Sequence, residues 1–278
     1  MFGVCSSRGS AIRLQKPLEL ILALCIWLIP SCAVAQFDHS IWDGLLKRHV
    51  LVIEGGRETR VDYDGMLMDR AVLEDYLERI ASLDRREFDT WELSSQLAFL
   101  INTYNAWTVE LILMEYPGIR SIRQIGFFPF SAWRRNIVNL FGNSHSLDDL
   151  EHGMIRGWGI YNEPRIHFAI NCAAIGCPAL RAEAYVGERL EEQLNDNTRL
   201  FLRDRSRNYY ANEKLYVSRI FSWYSEDFEL GWNESNSVSE FLLNYRDELE
   251  IPERMLPLFK QNGVSIRFSR YDWSLNGI

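Results

Sequence analysis

The sequence predicts an α+β fold, a mostly helical single domain with a central buried helix packed on a small, mainly antiparallel sheet. Three observations carry this. Trp91 to Tyr116 is helical in pattern and closes at Pro117-Gly118, and from Leu97 to Met114 it is apolar almost all round, as a fully buried helix is. The other long segments with helical spacing are amphipathic and would pack around it. The strand-like stretches are short and far apart in the chain, so any sheet is assembled from separated pieces.

In order, Asp38 to Val50 places Ile41, Leu45 and Leu46 at helical spacing. Arg57 to Tyr63 alternates and reads as a short strand. Asp69 to Leu83 is an amphipathic helix through Val72, Leu73, Tyr76, Leu77, Ile80 and Leu83. Within the Trp91 to Tyr116 helix, Asn102 and Asn105 lie three apart, on one face. A buried amide has to find partners, so the pair is either a clamp on a neighbouring loop or the wall of a polar pocket, and two on one face favour the pocket. Ser146-Leu147-Asp148-Asp149 resembles a capping box, with Asp149 in place of the usual Glu, and opens a helix bearing Glu151 and His152 and running to Arg156. Glu163-Pro164 is a turn, and Arg165 to Ile170 reads as a buried strand. Glu188 to Leu202 is helical, Leu215 to Val217 a strand, Ile220 to Phe228 a short aromatic helix, and Val238 to Tyr245 a helix. Val264 to Phe268 is a final strand, before the tail Tyr271-Asp272-Trp273-Ser274-Leu275-Asn276.

Residues 1–35 read as a signal peptide. Arg8, Arg13 and Lys16 precede the apolar run Leu20 to Ile29, Pro30 ends it, and Ala33-Val34-Ala35 supplies small residues before Gln36. Ten apolar residues are too few for a permanent span, which needs about 20. Cleavage after Ala35 would leave residues 36–278 as one domain, periplasmic or secreted, with no stable membrane span. It would also remove three basic residues and one acid, taking the net charge of -8 to -10. Such a charge excludes a phosphate-backbone binder, so no nucleic acid is expected.

Of five cysteines, only Cys172 and Cys177 would survive cleavage. No P-loop, dinucleotide-binding glycine signature, nucleophile elbow, His-Glu-x-x-His or paired Cys-x-x-Cys occurs, so neither a metal nor a cofactor is expected. What stands out is His167-Phe168-Ala169-Ile170-Asn171-Cys172-Ala173-Ala174-Ile175-Gly176-Cys177-Pro178. Two thiols on a loop near an imidazole suit nucleophilic or redox chemistry, because an adjacent imidazole lowers a thiol's pKa and shuttles its proton. On a straight strand, His167 and Cys172 would point to opposite faces, so His152 competes with His167 as the base. Spacing leaves the cysteines free to form a disulfide or to remain thiols.

These segments, together with Ala98-Phe99-Leu100-Ile101-Asn102-Thr103-Tyr104-Asn105-Ala106, Ser146 to Gly153 and Asp272 to Asn276, resemble the exported bacterial branch of the family known as domain of unknown function 547, over roughly residues 38–276. At Ala174 and Gly176, members of that family usually carry Ser. The resemblance implies no established activity. Some eukaryotic members join the domain to a glutaredoxin module, which implies thiol or glutathione-linked chemistry. It singles out Asn102, Asn105, Glu151, His152, His167, Cys172, Cys177 and Asp272.

Three functions stay open. One is a cysteine-dependent hydrolase or acyltransferase on a peptide, amide or glutathione-like substrate. There Cys172 is the nucleophile, His167 or His152 the base, Asp272 or Asn105 the orienting group, and Asn102, Glu151 and Tyr104 bind substrate. The second is a dithiol/disulfide redox protein in which Cys177 resolves. The third is a binding domain stapled by a structural disulfide.

Overall fold

The computed structural model describes residues 1–3, 36–126, 131–261 and 263–278. Most of the expected signal peptide, residues 4–35, lies outside the described residues. Residues 36–278 belong to one compact unit.

Helix α1 (Ser40–His49) buries Trp42, Leu45 and Leu46, and the hairpin β1 (Val50–Ile53) and β2 (Glu58–Val61) follows, with Val50 opposite Val61. The Asp62 side chain accepts a hydrogen bond from Gly65 N–H and caps α2 (Tyr63–Met68). Helix α3 (Arg70–Ser82) buries Leu73, Tyr76, Leu77 and Ile80, one stripe at helical spacing. After the short α4 (Arg85–Phe88) comes α5 (Leu93–Leu113), in which every residue from Ser95 to Leu113 is buried. The hairpin β3 (Val138–Leu140) and β4 (Asn143–His145) leads into a π-helix, Asp149–Ile155, and then a 3-10 helix, Pro164–Phe168. Helix α6 (Leu190–Leu202) precedes β5 (Tyr209–Ala211) and β6 (Lys214–Val217). Three short helices, α7 (Ile220–Trp223), α8 (Val238–Leu243) and α9 (Leu256–Lys260), lead to β7 (Ser265–Phe268), which pairs with β6 in parallel to complete a three-stranded sheet.

The molecule is a mostly helical α+β domain whose small sheets are largely antiparallel. Helices α2, α3 and α6 and the π-helix gather around α5, forming one apolar core. A second core collects aromatic rings from the C-terminal half, including Phe168, Phe201, Phe221, Phe228 and Phe241. Burying each such ring contributes about 2–3 kcal/mol. Among the described residues, no helix is long and apolar enough to cross a membrane.

One expected strand is absent. Arg165 to Ile170 begins as the 3-10 helix because Pro164 occupies its first turn, where a fixed φ suits the helix and a missing N–H costs nothing, and because Glu163 caps Arg165 N–H. His167 and Cys172 therefore do not sit on a straight strand, and strict alternation does not govern their directions.

A buried histidine on the first core makes stability pH-dependent. Burial lowers the His39 pKa to about 4, while its Nδ1 lies 2.7 Å from the Tyr76 hydroxyl. The unfolded chain then binds more protons than the folded one between about pH 6.5 and 4, so stability falls as pH drops through that window, by about 3 kcal/mol from this group. Urea titrations at pH 7 and pH 4 on the protein and on His39→Gln should show a shallower acid loss in the variant. Equal losses would remove His39 as the cause.

Candidate functional site

The cysteine loop is built from the backbone up. Asn105, on α5, accepts from Asn171 N–H at 2.8 Å and donates to Ala169 O at 2.9 Å. Asn171 in turn donates to Pro178 O and accepts from Ala173 N–H, an Asx turn that goes with a left-handed Ala173 at φ 58°. This bend brings the Cys172 and Cys177 Cα atoms to 6.0 Å, and the two sulfurs are bonded to each other. Buried Arg207 donates from Nη1 to both Gly176 O and Cys177 O.

The C-terminal tail closes over this loop. Ile175 and Gly176 N–H donate to Ser274 O and Asp272 O, Asn276 N–H donates to Ala173 O, and the Asn276 side chain joins Asn171 to Tyr63. A Cβ on Gly176 would lie 2.8 Å from the Tyr271 ring, so glycine is what lets Tyr271 settle on the bridge. The Tyr271 hydroxyl lies 3.2 Å from Cys172 Sγ and 3.3 Å from Cys177 Sγ. Cys172 N–H points at Cys177 Sγ at 3.0 Å.

The bridge forms part of the wall of a cavity of about 330 Å³, Cys172 half-buried and Cys177 buried. Trp133, Trp223, Trp273, Tyr104, Tyr224 and Tyr271 also line it, with Glu151, His152 and His167 among its polar elements. The π-helix presents Glu151 to this space; such extra-wide turns recur at functional sites. His167 stacks on Tyr224 at 3.9 Å and donates from Nε2 to Asp227 at 2.6 Å. Asp227 also takes two hydrogen bonds from Arg156, whose Nη1 reaches His152 Nδ1 at 2.6 Å. A guanidinium only donates, so His152 Nδ1 is the acceptor of this contact.

The electrostatics follow from burial and partners. Burial lowers the His167 pKa, with Asp227 only partly compensating, so the ring is held neutral. Burial works against ionisation of Asp227 too, but the hydrogen bonds from His167 and Arg156 outweigh it and hold this carboxyl well below the usual carboxylate range. Burial raises the Tyr104, Tyr224 and Tyr271 phenols, and the neighbouring Glu151 carboxylate pushes all three further. These phenols stay protonated and can donate.

The sequence expectations sort accordingly. Glu151, His152, His167, Cys172, Cys177 and Tyr104 come together at one cavity. Asn102 and Asn105 do not line it: Asn102 clamps both N–H and C=O of Tyr185, and Asn105 clamps the turn that leads to Cys172, so both are satisfied by backbone. Asp272 is not the acid on a histidine. Its exposed carboxylate caps Ser274 N–H at 2.9 Å, and Asp227 holds His167 instead. Free thiols give way to a bridge, and the polar neighbour of Cys172 Sγ is a phenol, not an imidazole. Among the described residues no three His, Cys, Asp or Glu side chains gather as a metal site.

Sequence reasoning missed Asp227, Arg156, Tyr224 and Tyr271. For Tyr271 a signal existed, since Tyr271, Trp273 and Leu275 are the inward members of an alternating tail whose Asp272 and Ser274 face out. No curated protein and no solved structure matches the chain. The model of one family, described as "Protein of unknown function, DUF547", matches residues 88–202, the stretch that contributes α5, the π-helix and the cysteine loop.

Proposed function

We propose that the cavity carries out thiol–disulfide exchange between the Cys172–Cys177 pair and a small thiol or disulfide. The observation that carries this reading is the pair of donors, Cys172 N–H and the Tyr271 hydroxyl, aimed at Cys177 Sγ at 3.0 and 3.3 Å. An incoming thiolate attacks the sulfur of Cys172, the less buried of the pair, and forms a mixed disulfide there. The Cys172–Cys177 bond breaks, and its electron pair leaves on Cys177 as a thiolate that meets two hydrogen bonds already in place. A second thiolate attacking the mixed disulfide releases the small disulfide and leaves the pair reduced; the reverse sequence reduces a disulfide substrate.

A purely structural staple is less well supported. A loop this short gains about 2 kcal/mol from closure, near the low end for disulfides. The same loop is already tied by Arg207, Asn171 and the tail. A hydrolase reading needs a reduced Cys172 with an imidazole beside it, whereas the sulfurs here adjoin Tyr271. The same proposal places the mature chain outside the cytoplasm, on the strength of the Ala33-Val34-Ala35 pattern and of a bridge that oxidising compartments preserve.

The test uses protein recovered from the extracytoplasmic fraction, its N-terminus expected at Gln36; Met1 retained in a membrane fraction would defeat the export proposal. Cys177→Ser, incubated with glutathione disulfide, should accumulate a stable mixed disulfide at Cys172, seen by intact mass. Cys172→Ser should react at least about tenfold more slowly, because Cys177 is buried. A wild-type bridge that opens to millimolar thiol only when the protein unfolds would make it a staple and end the redox reading.

A further inference from the structure

Glu151 is unlike the other buried acids. Among the described residues three carboxylates are buried: Glu110, Glu151 and Glu248. Glu110 is paired with Arg70 at 2.5 Å, and Glu248 lies within 3.5 Å of Arg199 and Arg203. Glu151 is 4% exposed and, among the described residues, has no ion pair of this kind; the Tyr104 and Tyr224 phenols hydrogen-bond to this carboxylate without neutralising its charge, and its Oε1 meets no hydrogen-bond partner among those residues. The nearby Arg156 directs its hydrogen bonds to Asp227 and His152. A buried carboxylate with an open oxygen is costly unless something neutralises it.

The neighbouring charges leave that demand unmet. Arg134 and Asp148, also on the cavity, pair at 3.2 Å, and Asp227 is matched by Arg156. His167 is neutral for the reason given above. The remaining walls are apolar, Ile170, Pro178 and Ile220 beside aromatic rings: Trp223, Tyr271 and Trp273 form a mutual cluster with centroids 4.6 to 5.7 Å apart, and Trp133 meets Trp273 edge-on at 6.1 Å. Two of the rings already attract cations from outside, Arg123 over Trp273 at 5.2 Å and Arg156 over Tyr224 at 5.3 Å. A carboxylate in a cavity lined by aromatic rings is the chemistry that selects an organic ammonium over a neutral or anionic group.

We infer that the cavity is a cation subsite, and that the thiol or disulfide exchanged at Cys172 carries an ammonium group held by Glu151 between the aromatic walls. This rests on the exchange reading for its chemistry, but the binding half stands without it. About 330 Å³ suits a small aminothiol or one arm of its disulfide, not a folded protein partner.

Two measurements keep the two ideas separable. The oxidised protein is reacted with cysteamine, 2-mercaptoethanol and mercaptoethanesulfonate, and bridge-opening rates are expressed per thiolate. Cysteamine should outpace the sulfonate by about tenfold or more, and Glu151→Gln should bring the two within about twofold. Independently, tetramethylammonium, which has no sulfur, is titrated into the protein with tryptophan fluorescence as the readout. Saturable binding, weakened about tenfold or more in Glu151→Gln, is the expected result. If thiols open the bridge without regard to charge and tetramethylammonium does not bind, the cation subsite is wrong while the exchange reading survives. If no thiol opens the bridge but the ammonium binds, the exchange reading fails and the subsite stands. Should the variant not fold, the charge preference and ammonium binding of the unaltered protein decide.

Discussion

Asp227→Ala is expected to lower folding stability by about 3 kcal/mol, near the lower end of what breaking a buried ion pair costs. Asp227 is the common acceptor for Arg156 and His167, whose side chains are 25% and 1% exposed, so its removal strands one buried imidazole and one half-buried guanidinium together. Urea unfolding monitored by tryptophan fluorescence measures the loss; a change below about 1 kcal/mol would mean that the cluster behaves like a surface pair. The pH dependence has a definite sign. Because the folded carboxyl is depressed, its contribution is present above about pH 4 and drains away as acid protonates it below that. In the variant this low-pH slope should be reduced.

The second large effect is expected at Asn102→Leu. Its amide satisfies both Tyr185 N–H at 3.0 Å and Tyr185 O at 2.8 Å at the centre of the protein, where water does not reach. Leucine keeps the branched shape, with somewhat more bulk, but leaves a buried donor and a buried acceptor orphaned, at about 1–3 kcal/mol each. The variant should lose about 2–6 kcal/mol in urea unfolding and, where folded, open its bridge to thiols at the wild-type rate. A normal melting transition with altered bridge opening would instead return Asn102 to the site.

These two residues also show where sequence reasoning stops. The run from Leu97 to Met114 makes a buried helix unavoidable, and it was legible because α5 has no polar face to compete. The two asparagines on it were equally visible, but whether a buried amide meets a ligand or a peptide group is decided by loops some 64 to 83 residues away. Asp227 sits 60 residues from His167 among aromatic neighbours, with no spacing that announces the pair. Trp133, Trp223 and Trp273 come from three separate segments and become a wall only after the tail docks. At Arg165 to Ile170 a signal was present and outweighed: Glu163-Pro164 marks a helix start, but the apolar alternation behind it reads more strongly as a strand.

The tail's hold on the cysteine loop has a consequence for assembly. The two sulfurs are separated by five residues and can meet early, whereas the Tyr271 phenol that shields them is 99 residues beyond Cys172. Closing that long loop carries an entropy cost that a local turn does not, so it belongs to the late, topology-limited part of folding. A chain elongating from its N-terminus therefore passes through a stage in which both cysteines have emerged and their phenol has not. During that interval the pair meets oxidants and thiols without the ring across it, and the docking of the final segment changes a solvent-facing pair into a guarded one.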